Sequence, residues 1–133
     1  MATGLKTFDN FTWASLLKGR TALVVDRDGV RARRYGAALE EAGAVVTLAP
    51  NQVVGADRAK DETFRMILLG LSGEETIADR FAPALSRPGT DAVILAETAR
   101  HPELRERFAK ARIGDHTMGD RDLVMFVIGT PDE

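Results

Sequence analysis

Asp26 and Asp28 are the side chains in this sequence best placed for chemistry. They follow Thr21-Ala22-Leu23-Val24-Val25, an uncharged run with mostly branched side chains. Such a run reads as a fully buried parallel strand. Ligands of open α/β sheets bind outside the carboxyl ends of the strands, where Asp26, Arg27 and Asp28 would stand. Two clustered carboxylates need a counter-charge. Arg27, or another nearby Arg, is therefore expected to pair with Asp26 or Asp28 and to fill the electrostatic role of a metal ion.

Other groups could contribute. Arg27, Arg31, Arg33 and Arg34 cluster at the start of the following helix, where the helix dipole also favours anions. Arg27, Arg31 and Arg34 are thus candidate anion-binding residues, although a solvated basic face partly paired with Glu40 and Glu41 is the simpler explanation of the cluster. Gly70-Leu71-Ser72-Gly73 lacks the spacing and the Lys of a phosphate-binding P-loop. His101 and His116, the two histidines, have no metal-ligand partner at helical spacing. With no cysteine there are neither disulfides nor thiolate metal sites, and no metal or cofactor is expected.

The elements that position these residues alternate. Residues 1–7 read as a loose tail. Asp9 or Asn10 caps a short helix through Lys18, with Phe8 beside its start and Trp13, Leu16 and Leu17 on one face. The strand at 21–25 leads to a helix at 30–42, ended by Gly43, and a second strand at 44–48. Residues 52–60 form at best a weak helix. A third strand covers 64–69, and Ser72 caps a helix over 73–81 limited by Pro83. A fourth strand covers 91–96, and Pro102 opens a helix to about Arg112. Residues 114–120 read as a loop and the apolar run 123–128 as a fifth strand. That leaves 130–133 after the fifth strand, too few for a helix. The helix at 10–18 would then cover the exposed sheet face, or a second copy of the chain would.

This order predicts an α/β fold, a doubly wound five-stranded parallel sheet with an extra N-terminal helix and no helix after the fifth strand. Residues 1–19 form the tail and helix, and 20–133 the domain. A chain of 133 residues suits one core. A net charge of −2 gives no general attraction to nucleic acid or membranes. No run approaches a membrane span, there is no signal-peptide pattern, and a cytoplasmic location is expected. The preference for Arg over Lys and the abundance of Ala suggest a GC-rich bacterial genome.

The runs 18–26 (KGRTALVVD) and 38–49 (ALEEAGAVVTLA) resemble the start of a response-regulator receiver domain, of the CheY-like family. The likeness continues, more faintly, through 66–71, 92–95 and 98–100. It implies the flavodoxin- or receiver-like strand order 2-1-3-4-5 and a place in two-component signalling. Receivers phosphorylate an Asp at the end of the third strand. Two acids after the first strand hold Mg²⁺, while a Ser or Thr after the fourth and a Lys after the fifth contact the phosphoryl oxygens. Here Asp26 matches the first acid, with Arg27 in place of the second and Asp28 beyond it. Gly70 stands in place of the acceptor, Thr98 fits the hydroxyl only with one extra loop residue, and Thr130 stands in place of the Lys. The resemblance therefore implies a degenerate pseudo-receiver that acts without phosphorylation, through contact with another signalling protein, a histidine kinase or an output protein. A homodimer is a further option.

A rival resemblance is enzymatic. Asp26-Arg27-Asp28-Gly29-Val30 is also similar to the D-x-D-G-V motif of haloacid-dehalogenase-type phosphatases, in which Asp26 would be the nucleophile and Asp28 the general acid. The amphipathic helix that follows at once, and the lack of a suitable later Lys or acidic pair, argue against it. A small-anion or nucleotide binder using the Arg cluster is the third reading.

Overall fold

The structure is a computed structural model, and it describes residues 13–129. Five parallel strands, β1 (Thr21–Asp26), β2 (Val45–Ala49), β3 (Met66–Gly70), β4 (Asp91–Ala96) and β5 (Arg112–Asp115), form one sheet in the order β2-β1-β3-β4-β5. The helices are α1 (Gly29–Glu41), α2 (Gln52–Asp61), α3 (His101–Arg107) and α4 (Asp120–Ile128), with 3₁₀ turns at Ala82–Ser86 and Thr98–Arg100. This is the doubly wound parallel sheet that the alternation implies, in the strand order that the resemblance implies.

Period-two alternation divides the core between the two faces. Leu23 and Val25 of β1 join Ile67, Leu69, Ile94 and Phe81 on one side. Ala22 and Val24 join Leu68, Leu95, Tyr35, Leu39 and Val124 on the other. The central strands are buried on both faces, so their sequences are uniformly apolar. The register sets Asp26 beside Gly70 at the carboxyl end.

The fifth strand is a correction. It is Arg112–Asp115, and residues 123–128 belong to helix α4. A helix therefore does follow the fifth strand, against the expectation that none would. Leu123, Val124 and Val127 are buried while Met125 is exposed, a helical stripe and not a two-sided strand. Asp120 and Asp122 sit in the first turn, and Gly129 closes the helix at φ 78°. A six-residue apolar run cannot distinguish the two structures by periodicity. Strand β5 carries little sequence signal because Ile113 is its only large apolar residue.

Helix α4 packs beside α1 and supplies the cover expected of the N-terminal helix or a second copy. Of that N-terminal helix, residues 13–15 are helical, and its start lies outside the described residues. Leu17 is fully buried in the same cluster, with Trp13 and Leu16 packed against it. The segment lies so close to the end of α1 that a Cβ on Gly43, at φ +105°, would meet the carbonyl oxygen of Ala14 at 2.6 Å.

The helix expected over 73–81 is also absent. Gly73 turns at φ +52°, and the chain reaches Ala82–Ser86 through irregular backbone. Gln52, read as part of a weak helix, explains why this loop can do without one. Its Nε2 donates to Glu75 Oε2 (3.1 Å) and to the carbonyl of Thr76 (2.8 Å), and its Oε1 accepts from the N–H of Ala78 (2.7 Å). Arg100 Nη1 donates to the Glu75 carbonyl. Side chains from two other elements thus satisfy backbone groups that a helix would otherwise pair.

Candidate functional site

The sheet delivers Asp26 at its carboxyl end with 1% of its surface exposed. A buried carboxylate needs partners on both oxygens. The helix that starts two residues later provides them. Asp28 accepts a hydrogen bond from the N–H of Arg31 (3.1 Å) and so caps α1. One turn into the helix, the guanidinium of Arg31 folds back onto Asp26. Nε donates to Oδ2 (2.7 Å) and Nη2 to Oδ1 (2.9 Å), a fork-to-fork pair. The N–H of Asp28 also donates to Asp26 Oδ1 (2.8 Å).

The remaining guanidinium positions are used as well. Arg31 Nη2 donates to Ser72 Oγ (3.0 Å), and Nη1 lies 3.2 Å from His116 Nδ1. Arg31 is held above its ordinary pKa, chiefly by the hydrogen bonds to Asp26, against the opposing effect of burial. His116 is fixed from the other side, because the Tyr35 hydroxyl donates to its carbonyl (2.7 Å). Burial pushes the Tyr35 phenol up to about 12, with the Arg31 charge opposing the shift.

Gly70 completes the arrangement. A Cβ at this position would collide with Asp26 Oδ2 and stand 2.8 Å from its Cγ. The glycine is thus a space requirement of the Asp26–Arg31 pair.

Arg27 and Thr98 are not drawn into this cluster, whereas Arg34 lines one recess with Asp28, Arg31 and His116. Arg27 is exposed, and Arg31 takes the pairing role expected of it or of a neighbour. Arg34 lies over the Tyr35 ring and 3.9 Å from Asp120 Oδ1. Thr98 donates to Asp115 Oδ2 (2.9 Å) at the end of β5. Asp115 also accepts from the hydroxyl and N–H of Thr117, and these bonds lower its pKa to about 2. Thr130 lies outside the described residues. The residues that follow the true fifth strand are His116 and Thr117, so an acid, Asp115, ends the strand after which a receiver places its Lys.

Ser72, Tyr35, His116 and Asp115 were not singled out as site residues by the sequence. A correctly placed β5 would have brought Asp115 and His116 to the carboxyl end. Ser72 was accessible as the second residue after β3.

The residues present do not fit the divalent cation that the receiver resemblance implies. Such a cation needs several oxygen ligands. Here a guanidinium stands on both oxygens of Asp26, Asp28 caps a helix, and Gly70 offers no side chain. Among the described residues, no buried side-chain nitrogen or oxygen lacks a hydrogen-bond partner and none awaits a ligand.

No protein-family model matches the sequence, and no curated protein matches it. Solved structures do. A CheY-like receiver domain protein from Methanospirillum hungatei JF-1 superposes with a TM-score of 0.68 at 20% identity, covering 83% of this chain and 91% of the other. A response regulator from Burkholderia pseudomallei, solved with a phosphorylated aspartic acid, calcium ion and citrate, gives 0.67 at 21%, covering 84% and 67%. The signal receiver domain of NarL from Mycobacterium tuberculosis gives 0.66 at 15%, covering 84% and 94%. The fold is therefore that of the response-regulator receiver domain. Among the described residues no helix is long and apolar enough to cross a membrane.

Proposed function

We propose that the protein is a receiver-like regulatory module that works by protein–protein contact and without phosphotransfer. The observation that carries this reading is the bidentate Arg31–Asp26 pair packed against Gly70. In a receiver that volume holds the acceptor carboxylate and the metal; here an internal cation and a bare backbone occupy it. The pinned loop after β3 supports the same reading, because Gln52 and Arg100 already satisfy its backbone. The partner is another protein of bacterial two-component signalling, a histidine kinase or an output protein, and the setting is cytoplasmic.

A phosphatase reading would need Asp26 free to attack and Asp28 free to donate a proton. Asp26 is buried under Arg31, and Asp28 caps α1. An anion on Arg31 would have to compete with Asp26 and Ser72, which take its Nε and Nη2 donors.

Incubation with acetyl phosphate and Mg²⁺, followed by intact-mass measurement, tests the reading. The mass stays unchanged if it is right, and a stable gain of one phosphoryl group overturns it. Calorimetric titration with millimolar Mg²⁺ gives no binding heat. Turnover of an aryl phosphate that Asp26→Asn abolishes would establish the phosphatase instead.

A further inference from the structure

We infer that the free edge of β2 is a homodimer interface, at which a second copy of this chain pairs antiparallel and continues the sheet. Among the described residues, β2 pairs with β1 alone. Natural edge strands carry charges, prolines or bulges that discourage pairing. The opposite edge, β5, is short and has Arg112 and Asp115 at its ends. The β2 sequence Val-Val-Thr-Leu-Ala has no such device. Two of the large exposed apolar residues among those described lie on this strand: Val45 (58%) and Leu48 (42%).

The backbone fixes a register. Val45 donates to the carbonyl of Arg20, so alternate residues 45, 47 and 49 spend their backbone groups on β1. The N–H and C=O groups of Val46 and Leu48 point away from β1. A two-fold axis through Thr47 matches Val46 with Leu48 of the second copy, and the reverse, closing four backbone hydrogen bonds. It also sets Val45 opposite Ala49 of the second copy, and the reverse, as a two-fold dimer requires.

The helices agree with this register. Helix α1 packs over both β1 and β2, so its counterpart would lie about two strand spacings away, ~9.6 Å. That is inside the range for packed helices. The flank of α1 facing the edge is lined by Arg33, Gly36, Ala37 and Glu40, above Val46 and Leu48. Gly36 and Ala37 permit close approach at the middle of this stripe. Because the two copies of α1 run antiparallel, Arg33 of each faces Glu40 of the other. This charge complementarity selects a second copy over an unrelated partner. The assembly is independent of the phosphotransfer question.

The full-length chain tests it directly. Light scattering should give twice the 14.5 kDa chain mass. Leu48→Lys should return it to the monomer with its melting profile kept. Arg33→Glu should weaken association at least about tenfold by like-charge repulsion, and adding Glu40→Arg should restore it. The sequence has no cysteine, so Thr47→Cys introduces a single thiol on the axis. Opposed non-hydrogen-bonded residues are close enough for a disulfide, and mild oxidation should cross-link this variant far faster than Ser86→Cys. A monomer throughout the accessible concentration range overturns the inference. So does a dimer in which Thr47→Cys fails to cross-link, or one that the charge exchange does not restore.

Discussion

Arg31 and Asp26 meet through two hydrogen bonds of 2.7 and 2.9 Å, with the Asp26 side chain fully buried and that of Arg31 only 14% exposed. A pair this deep behaves differently from a surface ion pair. Removing one partner leaves an uncompensated charge in the core, whereas removing both need cost little. Arg31→Met should lower the unfolding free energy by about 3–5 kcal/mol. Asp26→Leu combined with Arg31→Met should recover most of that loss. Urea denaturation of the two single variants and the double variant measures the coupling, and an additive double variant would contradict the buried-pair account.

Gly70→Asp is the substitution that would rebuild the acceptor of a receiver by name. It should not rebuild one in fact. The new side chain enters the space of the Asp26 carboxylate and brings a second negative charge to it. We expect a loss of more than about 3 kcal/mol of stability and no acyl phosphate on treatment with acetyl phosphate. In an Asp26→Ala background the same substitution should cost clearly less, because the two sites share one volume. Thermal melts and intact mass of the four proteins give the answer.

Tyr35 makes alkaline stability pH-dependent. Its phenol titrates near 10 when free and about 12 in the fold, mainly because it is buried. A raised pKa means that the folded chain favours the neutral phenol. This contribution is complete below pH 10 and is lost as pH rises from about 10 to about 12. Tyr35→Phe should remove that part of the alkaline decline. At neutral pH it should cost about 1 kcal/mol, because the bond to the His116 carbonyl is lost. Denaturation midpoints across this pH range test both effects, and an unchanged alkaline limb in the Phe variant would exclude Tyr35 as its source.

How far the sequence reveals this molecule depends on how each residue is used. Strands β1, β3 and β4 are legible because burial on both faces demands continuous apolar sequence. Helix α1 is legible because Tyr35 and Leu39 make a stripe ended by Gly43. Strand β5 is not, since a short edge strand with one large apolar side chain carries almost no pattern. The loop at 73–81 misleads because Ser72, Glu74 and Glu75 resemble a helix start. Ser72 N–H instead donates to Glu75 Oε1, within a loop that Gln52 holds from α2. At the site, the position of Asp26 and its need for a cation follow from sequence. Its partner does not, because a guanidinium five residues on reaches back only through helix geometry. Ser72 and His116 lie 41 and 85 residues from Arg31, and only the closed sheet brings them to it.

The space shared by Gly70 and Asp26 acts as a ratchet on mutational history. An acid placed first at position 70 collides with Asp26. Loss of Asp26 first strands the Arg31 cation, and loss of Arg31 first leaves Asp26 alone in the core. Each of these single steps passes through a weakened protein, and a marginally stable domain has little stability to lose. Introducing a phosphate-accepting carboxylate at position 70 therefore requires changes at several of these positions together. In that sense the present arrangement is an end point that point substitution alone does not readily leave.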